Sequence, residues 1–187
     1  MSKFISLDAS TTAIGWAVFE DDNLIEYGRL TPTEKGLDWR ERVHNLLPQL
    51  ENLILKYKPI KIYQEDIPMG GSGGVKTAIE LGYAQGVYSV VESLYSEVEY
   101  IAVGTWRKNI GINDGKDQRR NAKKIKSIEK ANELFNLNLP LEFTSGGNYK
   151  ENGSDDISDA VLLGTSTLDK YKVKVKSFGK GVKWLNG

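Results

Sequence analysis

Four acidic residues stand at the ends of predicted secondary-structure elements instead of along exposed faces. They are Asp8, Glu65, Asp156 and Asp159. Asp8 closes the first apolar run of the chain, and Glu65 closes a later alternating run. The other two lie three residues apart at the start of a predicted helix, which places them on the same side of it. A carboxylate at the edge of a core is costly unless a charge compensates it. The pattern therefore indicates a cation site.

Carboxylate oxygens suit Mg²⁺, a hard cation that usually keeps waters and substrate phosphates in its remaining positions. Two such ions about 4 Å apart can activate a water on one side of a phosphodiester and stabilise the leaving oxygen on the other. We therefore predict an active site with two Mg²⁺ ions, for which Mn²⁺ could substitute. The four acids would be both its catalytic residues and its metal ligands.

Each acid also has a simpler interpretation. Asp8 could be a turn residue, because Asp and Ser both bond to their own backbone in turns. Glu65 could pair with a lysine at the edge of the sheet. Asp155 and Asp156 could cap the last helix or complement its dipole, and for Asp155 this simpler interpretation is the better one. The metal interpretation is favoured because all four acids occur together in a chain that also has basic segments.

The net charge of the chain is zero, but the charges are unevenly distributed. Residues 106–130 contain nine Lys or Arg against three Asp or Glu, and residues 170–187 contain six Lys and no acid. Such a separation creates a basic face, which is the surface that a polyanion meets. Lysine-rich segments can also be ordinary solvated surface. Two of them in an otherwise acidic chain favour a nucleic-acid interface.

The elements that must position these residues follow from hydrophobic periodicity. The predicted strands cover residues 3–8, 13–20, 24–30, 60–66 and 98–103. The predicted helices cover residues 43–57, 77–95, 122–136 and 155–171, and the predicted loops cover 70–74, 104–121 and 144–154. A hairpin followed by strands alternating with helices predicts an α/β fold with a mixed sheet flanked by helices.

The bulk composition is that of an ordinary globular protein. The 187 residues suffice for one domain with a sizeable core, 40% of them are hydrophobic and 27% are charged. There is no cysteine, no basic-then-apolar leader and no apolar run of the roughly 20 residues that a membrane span needs. We predict a soluble, cytoplasmic protein without a membrane partner.

Four segments resemble the RuvC-type Holliday junction resolvases of the ribonuclease-H-like superfamily. They are "FISLDASTTAIGWAVFED", "IYQEDIPMGGSGGVKTAIELGYAQGVYSVVESL", "EYIAVGTWRKNIG" and "SDDISDAVLLG", in the order and spacing of that family. The resemblance extends to about residue 170 and looks most like the phage-borne members. It implies a ribonuclease-H-like mixed five-stranded sheet with helices on both faces. The domain would span 1–170, followed by a basic tail at 171–187.

The resemblance also implies a function in DNA recombination and repair. Members are homodimers whose two metal sites cut symmetrically opposed strands of a four-way DNA junction. Matched by motif, the metal-binding acids are Asp8, Glu65, Asp156 and Asp159. Asp155 falls just outside the pattern, although it would share a helix face with Asp159. The third acid is therefore the least secure of the four.

Two departures from the family pattern concern DNA recognition. Pro68 stands where many bacterial members have an aromatic residue that wedges at the junction centre, and the segment 113–124 is longer and more basic. We therefore predict a looser reader of branched DNA, including three-way and flap structures, that relies on phosphate contacts. The residues predicted to contact DNA are Lys76, Arg107, Lys108, Lys116, Arg119, Arg120, Lys123 and Lys124.

Three further features have open interpretations. Ala78, Gly82 and Gly86 form a small-residue stripe that could hold the dimer together or pack on the chain's own sheet. Trp106 could stack on a base, but an aromatic residue that follows a strand is more often core. His44, the only histidine, is predicted to be structural or exposed.

Two rival functions remain. The stretch "DASTTAIG" (8–15) resembles the first phosphate loop of actin-like ATPases and sugar kinases, whose hydroxyls and backbone N–H groups would hold ATP phosphates. That interpretation needs a second phosphate loop and normally a second domain. A non-catalytic protein that binds branched DNA is the other rival, and the loss of one acid would be its mark.

Overall fold

A computed structural model describes residues 2–67, 74–112 and 120–171. Its strands are β1 (Lys3–Ala9), β2 (Ile14–Glu20), β3 (Asn23–Leu30), β4 (Lys61–Asp66), β5 (Glu97–Ala102), β6 (Glu142–Phe143) and β7 (Tyr149–Lys150). Its helices are α1 (Trp39–Tyr57), α2 (Gly74–Tyr95), α3 (Val103–Ile110), α4 (Arg120–Phe135) and α5 (Ser154–Ser166).

Five strands form one mixed sheet in the order β3-β2-β1-β4-β5. The first three strands are antiparallel neighbours, whereas β4 and β5 run parallel to β1. This arrangement confirms the predicted mixed five-stranded sheet. Because β1 and β4 are parallel neighbours, their carboxyl ends lie side by side at one edge of the sheet.

The sheet is covered by helices on both faces, as predicted. Ile5 and Leu7 of β1 belong to one apolar core together with residues of α1 and α2. Ala17 and Phe19 of β2 belong to a second core with residues of α3, α4 and α5. Successive strand residues point to opposite faces. The even-numbered residues of β1, Asp8 included, therefore lie on the α5 face.

Helix α1 is longer than the periodicity indicated. It begins at Trp39 because Asp38 and Glu41 form a capping box, in which each side chain bonds to the other's backbone N–H. It ends at Tyr57, and Lys58 adopts the left-handed conformation (φ 48°) just before Pro59. The predicted end of this helix is confirmed. His44 is exposed on α1 and its Nε2 lies 2.8 Å from the Tyr83 hydroxyl, as predicted for an exposed residue.

Three local predictions were wrong. The predicted loop 104–121 contains helix α3, which buries Trp106 and Ile110 one turn apart. The predicted loop 144–154 contains β7, which pairs with β6. Helix α5 stops at Ser166 instead of continuing to residue 171. In the first two cases a few buried residues stabilise an element within a mostly polar stretch.

The small-residue stripe of α2 does not pack on the sheet. A Cβ built on Gly82 or Gly86 would have no atom within 4 Å among the described residues, and Ala78 is exposed. The alternative prediction that this stripe contacts the chain's own sheet is therefore wrong. The homodimer remains a prediction.

Several predicted features lie outside the described residues. They are Pro68, residues 70–73 of the glycine-rich loop, Lys116, Arg119 and residues 172–187 of the basic tail. Across the part of the chain that is described, no helix combines the length and apolar character needed to cross a membrane.

Candidate active site

Asp8 and Glu65 lie next to each other at the carboxyl ends of two parallel strands. The β1–β4 register pairs Leu7 with Gln64, so the acids occupy the next position on each strand. Both acids face α5, because they alternate with Leu7 and Gln64 along their strands. One level below Asp8, the buried Ser6 hydroxyl donates a 2.7 Å hydrogen bond to a backbone carbonyl of α5. This contact anchors α5 directly on the strand that ends in Asp8.

A glycine on β2 allows the first turn of α5 to reach these acids. Gly15 is the partner of Asp8 in the β1–β2 ladder. A Cβ built on Gly15 would lie 2.0 Å from the backbone oxygen of Asp156, which is far inside van der Waals contact. Gly164, further along α5, has the same role against Phe19 and Ser6. The helix start therefore fits over the sheet only because these two positions lack a side chain.

The other predicted acids all affect the pKa of Asp8. The pKa of Asp8 is raised well above its usual range, mainly because the carboxyl group is buried. The neighbouring charges of Glu65, Asp159, Asp156 and Asp155 raise it further, in that order of size. Strand ends and helix start thus bring the predicted acids into one cluster around Asp8.

Glu65 is held by a tryptophan. The indole N–H of Trp106 donates a 2.8 Å hydrogen bond to Glu65 Oε2, and Trp106 is completely buried, which confirms its prediction as a core residue. Burial and the charge of Asp159 raise the pKa of Glu65 to about 7, while the Trp106 bond lowers it. No periodic signal in the sequence indicated that this core residue also contacts the acid cluster.

Asp159 is paired with the arginine that follows Trp106. Arg107 Nη2 donates to Asp159 Oδ2 at 3.0 Å, and both side chains are largely buried. Asp159 Oδ1 is buried and has no hydrogen-bond partner. Burial raises the pKa of Asp159, and the Arg107 charge and the neighbouring Ser127 hydroxyl oppose this rise, although Ser127 Oγ does not reach Asp159 Oδ1 with normal hydrogen-bond geometry. An unpartnered buried carboxylate oxygen is costly, so it is a position where a cation would stabilise the protein.

Asp156 is bonded to a residue on β3 that was not among the predicted site residues. Arg29 Nε on β3 donates to Asp156 Oδ2 at 2.6 Å, across 127 residues of chain. Burial raises the pKa of Asp156, and the bond to Arg29 counteracts it. No signal in the sequence could have linked these two residues, because their contact depends on how α5 crosses β3.

Asp155 makes a different set of contacts. Its Oδ1 accepts a hydrogen bond from the Tyr149 hydroxyl at 3.2 Å, and its Oδ2 lies 2.6 Å from the ammonium of Lys124. Asp155 does not cap α5, because the N-cap residue is Gly153 and no side chain caps the helix, but it lies in the first turn, where an acid complements the helix dipole. Both oxygens of Asp155 are occupied by protein groups. Asp156, with one oxygen free of described partners, is the better candidate for the third acid.

The donor chemistry of this cluster fits a hard divalent cation. Asp8, Glu65, Asp156 and Asp159 offer carboxylate oxygens only, and the buried Asp159 Oδ1 lacks a partner. Within the described ranges, however, no three acidic or histidine side chains are close enough together to enclose one ion. A Mg²⁺ ion bound by these acids would therefore need water and phosphate in its remaining positions, as is usual for Mg²⁺.

The predicted DNA-contacting residues fall into two groups. Lys108 is exposed and Lys123 half-buried, and neither has an ion pair with any described residue; Lys76 is exposed and only 3.9 Å from Glu80. Arg107 and Lys124, by contrast, are held by buried acids. Arg120 is exposed and pairs with Glu151 at 3.4 Å. The most accessible cations are therefore not the ones nearest the acid cluster.

The hydroxyl residues after Asp8 form a local turn. Ser10 Oγ accepts hydrogen bonds from the backbone N–H groups of Thr12 and Ala13 and donates to the Ala13 carbonyl. Tyr88 on α2 donates to the Ser10 carbonyl. Two N–H groups that a phosphate loop would offer to ATP are thus already bonded. The geometry supports the turn and not the phosphate loop.

Comparisons with known proteins rest on structure alone. No protein-family model matches the sequence, and no curated protein matches it either. Among solved structures, Thermus thermophilus RuvC in complex with a Holliday junction substrate superposes with a TM-score of 0.63 at 13% identity, covering 89% of this chain and 94% of RuvC. A second Thermus thermophilus RuvC structure gives a TM-score of 0.61 at 12% identity, covering 88% and 93%.

The yeast mitochondrial Holliday junction resolvase Ydc2 superposes with a TM-score of 0.55 at 16% identity, covering 88% of this chain and 77% of Ydc2. Identities this low establish a shared fold, not a shared activity. The likeness covers 88–89% of this chain. The chain has a RuvC-like fold of the ribonuclease-H-like type.

Proposed function

We propose that this protein is a metal-dependent endonuclease that cleaves branched DNA, with Holliday junctions as the principal substrate. The observation that carries the proposal is the cluster of carboxylates around Asp8, in which Asp159 Oδ1 is buried without a partner. A cluster of like charges is unfavourable for folding, since each charge raises the pKa of the others. Retaining it is reasonable where a cation must be held.

The residues of the chain have separate tasks in this reaction. Asp8, Glu65, Asp156 and Asp159 would hold two Mg²⁺ ions, or Mn²⁺ in their place. Bound there, the ions would supply a water nucleophile at neutral pH and stabilise charge on the leaving oxygen. Asp8 and Glu65 are presented by adjacent strand ends, and the remaining two acids by the first turns of α5. This fixed framework would orient the ligands before DNA arrives.

Three donors keep the ligands in place. Trp106, Arg107 and Arg29 each bond to one oxygen of a different acid, namely Glu65 Oε2, Asp159 Oδ2 and Asp156 Oδ2. For Asp159, the second oxygen is buried without a hydrogen-bond partner among the described residues. Such outer contacts orient metal ligands and raise metal affinity. This pattern of contacts favours metal binding over a purely structural role for the acid cluster.

The homodimer that the function requires would form through α2. Its exposed apolar residues and open glycines follow one stripe of the helix: Val75, Ile79, Gly82, Gly86, Val90 and Leu94. Large apolar side chains exposed along a whole helix mark interaction surfaces. A second copy is the proposed partner, because symmetric cuts in opposed strands need two sites related by a two-fold axis.

A cleavage assay tests the proposal directly. Labelled four-way, three-way, flap and linear duplex substrates are incubated with the protein in EDTA, Mg²⁺ or Mn²⁺, and the products are separated on denaturing gels. We expect paired, symmetric cuts near the branch of the four-way junction, only with a divalent cation. No cleavage in either metal, together with intact junction binding, would instead support the non-catalytic rival. Hydrolysis of ATP without DNA cleavage would support the ATPase rival.

A further inference from the structure

Arg29 occupies a specific place in a row of residues that crosses the sheet. The β1–β2 register pairs Asp8 with Gly15, and the β2–β3 register pairs Gly15 with Arg29. Residues that pair directly across neighbouring strands point to the same face. Arg29 therefore lies on the face of the acid cluster, two strands away from Asp8. The absent side chain of Gly15 leaves the space between them to Asp156.

The surroundings of Arg29 are shaped to accommodate its side chain. Gly153, the residue before α5, has φ +86°, and a Cβ built there would lie 2.7 Å from Arg29 Cδ and 2.8 Å from Nε. Any other residue at position 153 would be strained and would also displace the guanidinium. Asp156 then fixes the arginine through Nε at 2.6 Å. Gly153 thus leaves the space that the Arg29 side chain occupies, and Asp156 fixes its orientation.

The free groups of Arg29 make it different from Arg107. Only its Nε is bonded within the described residues, so its two terminal amino groups have no partner there, and 32% of its side chain is exposed. Arg107 instead uses Nη2 on Asp159 and is 16% exposed. An arginine that is oriented by one carboxylate and presents a planar pair of N–H donors suits a phosphate oxygen.

We infer that Arg29, and not Arg107, is the guanidinium that binds a backbone phosphate of the DNA beside the acid cluster. This inference rests on the proposed function and adds a substrate contact to the same site. Asp156 would serve two purposes, as a metal ligand through one oxygen and as the anchor of Arg29 through the other. The arginine would offset the repulsion between the carboxylates and the incoming phosphate.

Binding without metal separates this contact from metal coordination. The affinity of wild type, Arg29→Gln and Arg29→Lys for a labelled four-way junction is measured by fluorescence anisotropy in EDTA over a series of salt concentrations. We expect Arg29→Gln to bind about tenfold more weakly, with a salt slope smaller by about 0.9 for one duplex phosphate. Arg29→Lys should keep the slope but lose part of the affinity. Lys56→Gln is the matched control, because it removes an exposed ion pair with Glu26, which lies on β3 as Arg29 does.

A second pair of variants keeps the inference testable if Arg29→Gln does not fold. The double variant Arg29→Gln/Asp156→Asn removes both charges of the ion pair, and Asp156→Asn leaves only Arg29, whose partly exposed side chain water can solvate, so both should fold. The double variant should again bind about tenfold more weakly than Asp156→Asn. Equal affinity and equal slope with and without Arg29, while wild type binds junctions, would overturn the inference. Failure of the wild type to bind any junction would instead overturn the proposed function.

Discussion

Gly15 pairs with Asp8 across the β1–β2 ladder, and a Cβ on Gly15 would stand 2.0 Å from the backbone oxygen of Asp156. A single missing side chain thus lets two candidate ligands from opposite ends of the sequence share one site. Helix α5, which carries Asp156, packs so closely on β2 at this point that no side chain fits between them. The position of α5 therefore depends on residue 15 being glycine.

Gly15→Ala should separate the acids without changing any of them. The methyl group must push the first turn of α5 away, which we expect to lower the free energy of unfolding by roughly 1–3 kcal/mol. A displacement of about 1 Å should slow cleavage about a hundredfold. Thermal unfolding and the cleavage rate at saturating Mg²⁺ measure the two effects. Gly104→Ala, where a Cβ meets open space outside the α2 stripe, is the control and should be as active as wild type. Wild-type rates in Gly15→Ala would show that α5 does not need this close approach.

Asp8→Asn should abolish cleavage and preserve DNA binding. Removing one ligand charge weakens metal binding, and a loss of several kcal/mol in transition-state stabilisation corresponds to a drop of about a thousandfold or more. Junction binding in EDTA should be unchanged or tighter, because a negative charge near the phosphate is gone. Cleavage by the variant at the wild-type rate would remove Asp8 from the metal site.

The same variant should be more stable than wild type when no metal is present. The folded pKa of Asp8 is raised above the ordinary value of an aspartate, so the folded protein holds this proton more tightly than the unfolded chain does. Stability is therefore lost as pH rises from the unfolded pKa through the folded one. Asp8→Asn removes this loss. Urea unfolding in EDTA should show a gain for the variant at pH 8 that shrinks towards pH 4.

Cleavage should depend on pH through Glu65. Its pKa is raised to about 7, and a metal ligand must be deprotonated, so metal binding weakens as pH falls below 7. At subsaturating Mg²⁺ we expect the rate to fall towards ~tenfold per pH unit below that value, and higher Mg²⁺ should move the midpoint to lower pH. Rates measured from pH 5.5 to 9 at two Mg²⁺ concentrations test this expectation.

Trp106→Phe provides the matched variant for that profile. The indole bond lowers the pKa of Glu65, so its removal should move the midpoint to higher pH while the phenyl ring keeps most of the core filled. A midpoint that stays in place, in a variant that folds normally, would mean that another group controls the profile.

The sequence was sufficient for the fold because the strands follow from local patterns, and the four acids stay a prediction that rests on where those patterns end. Alternating apolar residues mark β1 and β4, and the carboxylates interrupt those patterns where the strands end. Helix α3 was missed because only Trp106 and Ile110 mark its buried side within an otherwise polar stretch. A two-residue pattern is too short to separate a helix from a loop.

Contacts between distant elements could not be read in the same way. Arg29 looks like an ordinary exposed residue of β3 until α5 places Asp156 beside it. Lys123 and Lys124 are indistinguishable in sequence, yet only Lys124 meets the buried Asp155. Charge counts indicate that a basic segment exists. They do not show which of its charges are already neutralised inside the protein.

The exposed stripe of α2 predicts a dimer that one charge would disrupt. Ile79→Glu places a carboxylate in the middle of the apolar face, and burying it against a second copy would be costly. Light scattering should show wild-type dimers at micromolar concentration and Ile79→Glu monomers, and the variant should lose paired cuts in opposed strands. Ile25→Glu on β3 is the control, since Ile25 is exposed outside this stripe. A wild-type monomer, both alone and on DNA, would contradict the proposed dimer.

The same substitution should have different effects at Lys123 and Lys124. At Lys124 it should lower stability, and at Lys123 it should weaken DNA binding. Lys124→Gln leaves the buried Asp155 without its cation, so we expect a loss of roughly 3 kcal/mol in the free energy of unfolding. Lys123→Gln should change that free energy by less than about 0.5 kcal/mol. If Lys123 contacts a phosphate, its loss should weaken junction binding and lower the salt slope by about 0.9, whereas sequence preference stays the same. Urea unfolding and anisotropy titrations on both variants measure these effects. A stable Lys124→Gln protein with a reduced salt slope would show that Lys124 contacts DNA after all. An unchanged salt slope for Lys123→Gln would show that Lys123 is ordinary solvated surface.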